Sequence, residues 1–419
     1  MKLPLDLSHE KLQFLIEAIE IISSSLEPEE VLENIMNQAG KLTDSEAASI
    51  FIVDESKKTL QLKVATNLTH EQVKEISTPI GKGIVGYVAA TGKLVNLSNV
   101  QEDERFFNKV DKKTGLITKS CLTVPLVVEN KIVGATQVIN KRNAECFTTE
   151  DEFVLTEFSR LASITLNKAW MHAELLDKKR MEADLDIACS IQQKLLPFKE
   201  LKLANYTFRG FYKPARNVGG DYFDYYQLSE DEVFFTVGDV TGKGAQASIL
   251  MATVKSFLSA SLDIKNDLID IVYRLNNFFY HNSPPDIFIT MFLGIINVKT
   301  GHLLYINAGH EPPLIFKDSV FVEELTSNCI MLGAFNDMVF ETSETYIKQG
   351  DVLFIYTDGV TEAKGNDEKM FGVPRLKEVL KKCHNEMPEY LKNVPEEILN
   401  FVQENEQSDD ITFLVVKGN

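Results

Sequence analysis

The stretch VFFTVGDVTGKGA, residues 233–245, decides the fold of the second half of this chain. Its apolar run, residues 233–237, predicts a buried strand, and Asp239 stands directly at the end of that strand. The glycines that follow predict a turn into a helix. The turn resembles a phosphate loop, but neither a Ser nor a Thr follows Lys243, and the GxxxxGK[ST] spacing is absent. The stretch therefore places an acidic side chain at the end of a strand.

Three further acidic motifs also border apolar runs: Gly219-Gly220-Asp221, Thr357-Asp358-Gly359 and Ser408-Asp409-Asp410. Residues 352–356 form the apolar run before the second motif, and residues 411–416 form the run after the third. Carboxylates crowded together at strand ends repel one another, and burial adds to the cost. Divalent cations relieve this cost, and oxygen ligands favour Mg²⁺ or Mn²⁺ over zinc. Each motif alone could be a turn aspartate, but the four together predict a two-metal hydrolase.

Composition excludes several other classes of protein. The chain has 419 residues, 44% hydrophobic and 25% charged, with a formal net charge of −18. Such a charge argues against nucleic acid or an anionic membrane surface as a partner, while a basic protein partner remains compatible. The five cysteines contain no CxxC pair, and the N-terminus lacks the apolar core of a signal peptide. We therefore expect a cytoplasmic protein without a membrane span.

The pattern of apolar residues divides the chain into three parts, with an α+β fold overall. Residues 1–167 alternate helical and strand-like segments and form one domain. Residues 168–198 are a linker in which positions 168–196 contain no Gly or Pro, and these predict a helix that ends before Pro197. Residues 199–419 form the second domain.

The linker helix carries an apolar stripe at i+4 spacing. Ala183, Ile187, Ile191 and Leu195 share one face, although charged residues interrupt a strict heptad. Two interpretations remain open: the helix packs on its own domain, or it pairs with a second copy to form a homodimer. Its position between two domains favours the homodimer.

Further elements follow from the same patterns. Thr149 is a plausible N-cap for a helix that covers residues 153–167, and Glu129-Asn130 is a plausible tight hairpin. In the second domain we expect a long helix from Gln246 to Phe279 that is broken near Asp263.

The second domain resembles a known family. It carries, in order, the motifs PAxxVGGDYFD, GDVTGKGAQAS, NAGHEPP, YTDGVTEA and SDDITFLVV, which begin at residues 214, 238, 307, 356 and 408. This series resembles the SpoIIE/RsbU-type phosphatases of the metal-dependent PPM family, which share the fold of protein phosphatase 2C. The resemblance implies an α-β-β-α sandwich, two Mn²⁺ or Mg²⁺ ions, and hydrolysis of phosphoserine or phosphothreonine without a covalent enzyme intermediate.

The resemblance also implies roles for individual residues. Asp239 would bridge both metals, and the carbonyl oxygen of Val240 would be a further ligand. Asp358 and Asp409 would hold the second metal, and Asp221 would serve the first, directly or through water. These four aspartates form the expected catalytic set. Asp410 is a further candidate metal ligand, at a position that is often Asn elsewhere in the family.

For each of three other residues near these motifs, two interpretations remain open. Arg216 could bind the substrate phosphate, but a surface role is favoured. His310 could be a ligand or general acid, but support of a turn is favoured. For Asp224 a structural role is favoured slightly over a role in the site.

The first domain resembles a GAF domain, a small-molecule sensor, through GKGIVGYVAATGK from residue 81 and CLTVPLVVENKIVGATQVINK from residue 121. Within it, a set of residues matches the NK…F-x3-DE pattern of GAF domains that bind cyclic nucleotides: Asn140, Lys141, Phe147, Asp151 and Glu152. In that family the motif braces the pocket more than it touches the ligand. Binding of cAMP or cGMP, binding of another small ligand, and a purely dimerising role all remain open.

Taken together, these features predict a GAF-regulated serine/threonine phosphatase. The resemblance implies a phosphorylated anti-anti-sigma protein with a STAS domain as its substrate. One alternative is a diguanylate cyclase, because residues 219–223 resemble the GGDEF signature, although Tyr222 replaces the expected acid. Another is a catalytically inactive phosphatase fold that acts as a scaffold.

Overall fold

The structure is a computed structural model, and it describes residues 9–56, 58–66, 68–106, 116–262, 267–284, 286–366, 368–384, 386–403, 405 and 407–419. The chain forms two compact units, Met1–Arg180 and Met181–Asn419. Each unit is built on antiparallel sheets.

A six-stranded sheet organises the first unit, with the strand order β3-β2-β1-β6-β5-β4. The strands are β1 Ser45–Asp54, β2 Thr59–Ala65, β3 Ser77–Pro79, β4 Val95–Leu97, β5 Cys121–Val128 and β6 Lys131–Lys141. The helices are α1 His9–Ile22, α2 Pro28–Leu42, α3 His70–Lys74 and α4 Gly83–Thr91, with a 3₁₀ turn at Val100–Glu102. The predicted hairpin is confirmed: Glu129 and Asn130 join β5 to β6 with φ of 46° and 67°, as a tight two-residue turn requires.

Each face of this sheet has its own hydrophobic core. On one face α1, α2 and the start of the long helix pack against β1, β5 and β6, through side chains such as Ile35, Ile50 and Phe158. On the other face α3 and α4 cover the sheet around Phe51 and Leu62. The helical layer therefore lies against one face, while shorter elements enclose the other.

The long helix, α5, runs without a break from Thr149 to Leu195. The expected N-cap is wrong by one residue: the hydroxyl of Thr148 accepts a hydrogen bond from the Asp151 N–H at 3.2 Å, and the Asp151 carboxylate accepts one from the Thr148 N–H at 2.9 Å. This reciprocal pair is a capping box. The helix is also continuous through residues 167 and 168, where the sequence suggests a boundary between domain and linker.

Two sheets form the centre of the second unit. The five-stranded sheet has the order β15-β12-β11-β10-β9, with β9 Tyr222–Gln227, β10 Glu232–Val240, β11 Ile289–Asn297, β12 His302–Ala308 and β15 Ser343–Tyr346. The six-stranded sheet has the order β14-β13-β16-β17-β8-β7, with β7 Leu201–Lys202, β8 Tyr206–Lys213, β13 Leu314–Lys317, β14 Val320–Glu324, β16 Asp351–Tyr356 and β17 Ile411–Gly418.

Helices complete the layers of this unit: α6 Ala245–Leu262, α7 Leu268–Asn282, α8 Asp358–Thr361, α9 Gly372–Lys382 and α10 Met387–Val402. α6 and α7 lie against the five-stranded sheet, and α9 and α10 lie against the six-stranded one. This arrangement confirms the expected α-β-β-α sandwich. The helix predicted over residues 246–279 is two helices, α6 and α7, and the predicted break at Asp263 lies outside the described residues.

Within the described ranges, none of the helices combines the length and the apolar character that a membrane span requires.

Candidate metal centre and sensor cavity

Neighbouring strand ends bring three of the four acidic motifs together. Asp239 is the penultimate residue of β10, while Asp358 begins α8 immediately after β16 and Asp410 directly precedes β17. Because β16 pairs with β17, the Thr357 N–H donates to the carbonyl oxygen of Thr412 at 3.0 Å. A Cβ atom on Gly359 would lie 1.9 Å from the Asp410 carbonyl oxygen, so this position accommodates only glycine. The motif Thr357-Asp358-Gly359 and the motif Ser408-Asp409-Asp410 are therefore in direct contact.

The motif Gly219-Gly220-Asp221 is held against these two motifs by Asp410. Its Oδ1 accepts a hydrogen bond from the Ala215 N–H at 2.8 Å, and its Oδ2 accepts one from the Gly220 N–H, also at 2.8 Å. A Cβ atom on Gly219 would lie 1.9 Å from Asp410 Oδ2, which explains the first glycine of the pair. Both carboxylate oxygens of Asp410 therefore fasten the loop before β9, and its predicted role as a metal ligand stays a prediction.

Asp221 follows this loop and lies inside the protein. It is 2% exposed, and its Oδ2 accepts a hydrogen bond from the Thr357 hydroxyl at 2.7 Å. Burial raises its pKa well above the ordinary value, and the charges of Asp239 and Asp410 add to that effect. A charge at this position needs a cation nearby.

Three other carboxyl groups of the site also have raised pKa values. Burial raises the pKa of Asp239 to about 7, with contributions from Asp358 and Asp409. Burial also raises the pKa of Asp358 to about 6, helped by Asp409 and Glu362. Glu311 is a further half-buried acid whose pKa is raised by burial and by Asp358. Each of these carboxyl groups is therefore buried within the electrostatic reach of at least one other acidic group of the cluster.

Asp409 has a cation of its own. Its Oδ2 accepts a hydrogen bond from the Lys243 ammonium at 2.8 Å, and that ammonium also donates to the Ser408 carbonyl oxygen. Among the described residues, no three acidic, histidine or cysteine side chains converge closely enough to hold an ion in their present orientations. The donor set nevertheless fits Mg²⁺ or Mn²⁺ in kind, because it consists of carboxylate oxygens, which are the ligands that these cations prefer.

Two of the residues with open interpretations lie outside this cluster. Arg216 is exposed, in agreement with the favoured surface role. Asp224 is buried and accepts hydrogen bonds from the Lys255 ammonium and the Tyr222 hydroxyl, so it connects α6 to β9. The favoured structural role of Asp224 agrees with these contacts.

His310 borders the site as a neutral side chain. Burial lowers its pKa to about 3, and its Nδ1 lies 3.1 Å from the Thr290 hydroxyl. Thr290 is the cross-strand neighbour of Asp239. A neutral imidazole in this position supports the strand ends, in agreement with the favoured interpretation.

Sequence reasoning missed several residues of the site. Lys243 belongs to a recognised motif, but only the fold brings it to Asp409. Glu311 follows His310 in the NAGHEPP motif, and Thr357 precedes Asp358 in the YTDGVTEA motif. These positions were the signal that the sequence offered. Gln192 in α5 had no signal in the sequence; its Nε2 donates to the Gly219 carbonyl oxygen at 2.7 Å, and its Oε1 accepts from the Gly219 N–H at 3.2 Å.

The first unit contains a cavity of ≈ 130 Å³. Its wall combines the apolar side chains of Phe51, Leu62 and Ile139 with polar groups, such as those of Thr118 and Gln137. Phe106 and Leu116 also line it, and they are the described residues on either side of 107–115. An apolar wall with a few polar groups is typical of a small-ligand site, but this volume is below the roughly 300–1,000 Å³ of most ligand pockets.

The residues of the NK…F-x3-DE pattern are not among those that line this cavity; they form a brace beside the sheet. The Lys141 ammonium donates to Asp151 Oδ1 at 3.0 Å and to the Thr43 carbonyl oxygen at 2.8 Å. The Asn140 side chain bonds the Lys119 N–H, the Ile117 carbonyl oxygen and Glu46. Phe147 is buried in the helical core, while the Asn96 amide donates to the Phe147 carbonyl oxygen and to Glu152. Lys141 and Asp151 thus form a bracing pair, as the resemblance to that family implies for the motif.

Comparison with family models gives two matches. Residues 27–166 match the model described as GAF domain, and residues 229–419 match the model described as Stage II sporulation protein E (SpoIIE).

Individual proteins agree with both matches. The chain is 25% identical over 274 residues to "Phosphoserine phosphatase RsbU" of Bacillus subtilis, a match covering 64% of this chain and 80% of that protein. It is 34% identical over 175 residues to "Dual 3',5'-cyclic-AMP and -GMP phosphodiesterase 11A" of Takifugu rubripes, which covers 39% of this chain and 19% of that protein. Two other curated relatives are matched over 42% and 23% of their length, so the chain corresponds to only part of them.

A solved structure shares the fold of the second unit. The SiaA-PP2C domain of Pseudomonas aeruginosa aligns with a TM-score of 0.51 at 19% identity, covering 58% of this chain and 99% of that one.

Proposed function

This chain carries a GAF domain followed by a SpoIIE-type phosphatase domain of the PPM family, and from this premise we propose that it is a metal-dependent protein serine/threonine phosphatase. The observation that carries the proposal is the group of carboxylates whose pKa values are raised by burial and by one another, Asp221, Asp239 and Asp358 foremost. Burial and mutual repulsion of these carboxylates cost free energy, and a bound divalent cation would offset that cost.

In the proposed site Asp239 and the Val240 carbonyl oxygen would hold the ions together with Asp221, Asp358 and Asp409. Two Mn²⁺ or Mg²⁺ ions would supply the water activation and charge neutralisation that phosphomonoester hydrolysis requires. The Thr357 hydroxyl orients Asp221 through its 2.7 Å hydrogen bond, and Asp410 keeps the loop before Asp221 in place. Burial lowers the pKa of His310, and its Nδ1 lies 3.1 Å from the Thr290 hydroxyl, so we assign it to support of the strand ends rather than to proton donation.

The proposed substrate is a phosphorylated STAS-domain regulatory protein. Support comes from the likeness to the phosphatase RsbU and from the motifs shared with that group. A diguanylate cyclase receives no support, because Asp221 shares its surroundings with three other acidic motifs that a cyclase would leave without purpose.

The test of this function is Mn²⁺-dependent hydrolysis of a phosphoserine peptide and of p-nitrophenyl phosphate by the whole protein. Asp239→Ala should lower the rate by several orders of magnitude while the circular dichroism spectrum stays unchanged. Asp358→Ala and Asp409→Ala should behave similarly. Asp286→Ala, at an exposed turn of the same unit, is the matched control. Full Mn²⁺-dependent activity in Asp239→Ala would exclude the assignment, and an inactive wild-type protein that binds Mn²⁺ would favour the scaffold alternative.

For the first unit we propose regulation by a small ligand, with cAMP or cGMP as the first candidates. The likeness to a cyclic-nucleotide phosphodiesterase supports this choice, as does the formed brace of Lys141 and Asp151. A ligand that binds only the folded state raises the melting temperature. Trp170, the only tryptophan, packs against the core of this unit, and its fluorescence therefore follows the unfolding of the first unit. Neither a shift nor a heat of binding with saturating nucleotide would leave the motif as a structural brace.

A further inference from the structure

The sheet face that α1 and α2 cover carries a groove between these two helices and the start of β1. Its cavity volume is ≈ 600 Å³, and its apolar wall includes Phe14 and Ile21 of α1 and Met36 of α2. Phe14 and Ile21 are exposed. The volume lies within the roughly 300–1,000 Å³ of most ligand pockets, whereas the cavity on the other face of the sheet is smaller than that range. The groove therefore has the size of a site for a small organic molecule.

A buried amide without a partner lines this groove. Gln38 is 9% exposed, and its side chain has no hydrogen bond to any residue within the described ranges. Burial of an unpaired amide costs free energy, so a group of this kind normally finds its partners in water or in a ligand. The remaining exposed part of Gln38 faces the groove, and its amide is therefore available to a molecule that binds there.

Two cations of the groove also lack an acceptor. In the part of the chain that the structure describes, neither the Arg142 guanidinium nor the Lys41 ammonium has a hydrogen bond or an ion pair. Three carboxylates line the same groove, and each accepts a hydrogen bond from a side-chain amide: Glu17 from Gln13, Asp44 from Asn143, and Glu46 from Asn140. The charged groups that the wall leaves unpaired are therefore both cations.

These groups fit a carboxylate better than a phosphate. An arginine and an amide N–H can both donate to the oxygens of one carboxylate, and the arginine fork matches its geometry. A phosphate monoester carries up to about two negative charges, and the three carboxylates of the wall would repel it more strongly than a monoanion. The apolar wall accommodates a hydrocarbon or aromatic body. The groove thus combines the features that a monocarboxylate with an apolar body requires.

We propose that the groove between α1, α2 and β1 binds a small monocarboxylate with an apolar body, whose carboxylate pairs with Arg142 and Gln38. Two sources share this chemistry: a free apolar amino acid and a simple organic acid. The site is distinct from the cavity on the other face of the sheet, although Ala47, Ala48 and Thr66 line both. It does not depend on the proposed phosphatase activity.

The experiment follows thermal unfolding of the full-length protein by Trp170 fluorescence, because Trp170 packs against the same hydrophobic core as α1 and α2. The probes are 3-phenylpropanoate and L-phenylalanine, each at about 10 mM, and we expect at least one to raise the melting temperature by about 2 °C or more. A shift with 3-phenylpropanoate alone identifies an organic acid as the source, and a shift with L-phenylalanine alone identifies an amino acid. No shift with either probe would overturn the proposal.

Two controls test the carboxylate contact. The neutral 3-phenylpropanamide keeps the apolar body and should give less than about half of the shift, because it loses the charge-assisted bond to Arg142. Arg142→Met and Gln38→Met should each lose most of the shift that wild type shows. Arg160→Met, which removes an exposed arginine of the same unit, and Gln137→Met, which removes an amide from the other cavity, are the matched controls and should keep it. An equal shift with the amide probe, or an unchanged shift in Arg142→Met and Gln38→Met, would contradict the assignment.

The stability of Gln38→Met without any probe separates a binding role from a structural one. An amide that the protein leaves unpaired adds nothing to the fold, so Gln38→Met should melt at or above the wild-type temperature. Gln137→Met should melt at a lower temperature, because the Gln137 amide donates to the Thr123 hydroxyl at 3.0 Å. A melting temperature of Gln38→Met clearly below that of wild type, or failure of this variant to fold, would mean that the fold itself uses the amide and would also overturn the proposal.

Discussion

At the scale of single residues, the brace of the first unit depends on one buried carboxylate. Burial alone would raise the pKa of Asp151, but the Thr148 N–H and the Lys141 ammonium outweigh it and hold that pKa below the ordinary 3.8. A carboxyl group whose pKa is lower in the folded state stabilises the fold at pH values above its ordinary pKa. That stability is lost as the pH falls through the lowered value.

We therefore expect Lys141→Met to lower the free energy of unfolding of the first unit by roughly 2 kcal/mol at pH 7, because the buried Asp151 loses the closer of its two ammonium partners and keeps Lys11 at 3.3 Å. Denaturant unfolding followed by Trp170 fluorescence measures this change. The difference from wild type should shrink below about pH 4, where Asp151 begins to protonate in the unfolded chain. Lys93→Met, an exposed lysine of the same unit, is the control. A Lys141→Met protein as stable as this control would show that the pair is not a brace.

Lys243 is a residue that should weaken metal binding, so its removal should strengthen it. Its ammonium lies 2.8 Å from Asp409 Oδ2, where it neutralises a predicted metal ligand. The contact is half exposed, and such pairs contribute about 0.2–1 kcal/mol. Lys243→Met should therefore tighten Mn²⁺ binding by about two- to fivefold at low salt. Lys299→Met, which breaks an exposed pair with Asp231, should leave it unchanged. Weaker binding in Lys243→Met would mean that this lysine supports the site.

The sequence was sufficient to predict the acidic residues of the site but not their partners. Asp239 and Asp358 follow apolar runs, and a strand-end carboxylate can be located from such a run alone. The contacts of Asp410 with Ala215 and Gly220 join residues 195 and 190 positions apart, and the pairing of sheets decides them. Gln192 could not be predicted for the same reason, since a buried glutamine and an exposed one look alike in a helical pattern.

At the scale of elements, short-range rules located most helices and strands. They failed where two residues satisfy the same rule or where one rule opposes another. Thr148 and Thr149 are equally good caps, and the contact with Asp151 decides for Thr148. α10, Met387–Val402, was missed because Pro388 and Pro395 oppose a helix, yet Pro388 lies in the first turn and the buried face around Tyr390 and Ile398 outweighs the cost of Pro395.

The loop between β8 and β9 gives a prediction at this scale. In Gly219→Ala the added methyl would lie 1.9 Å from Asp410 Oδ2, so the loop must move away from β17. We expect a lower melting temperature of the second unit and Mn²⁺ binding weakened by about tenfold or more. Gly40→Ala is the control, because its Cβ would meet no atom closer than 3.7 Å and a helical alanine is favoured by up to about 1 kcal/mol. Unchanged Mn²⁺ binding in Gly219→Ala would separate the loop from the metal site.

At the scale of the whole molecule, α5 exposes the apolar stripe that the sequence predicts. Ile187 and Ile191 of the predicted stripe are 60% and 57% exposed in the single chain, while the other face of the helix, with Gln192 and Leu196, is buried. The stripe is therefore not the face that packs on the second unit. Two neighbouring isoleucines exposed to water lose the free energy that burial of apolar surface would provide. A second copy of the same helix offers a matching stripe, and we propose a homodimer through this face.

Ile187→Glu tests the homodimer. Like charges at the centre of the stripe should turn a dimer into a monomer, as measured by light scattering across a concentration series. Gln193→Glu introduces the same charge on an exposed position away from the stripe and should remain dimeric. If the ligand of the first unit acts by favouring one arrangement of the helix pair, the monomeric variant should also lose its response to that ligand, because no second arrangement remains to be selected. Since Gln192 lies next to Ile191, a change in the pairing of the stripe would act on Gly219 over a single residue of helix. A wild-type monomer at all concentrations, with Ile187→Glu still responsive to ligand, would reduce α5 to a tether between the two units.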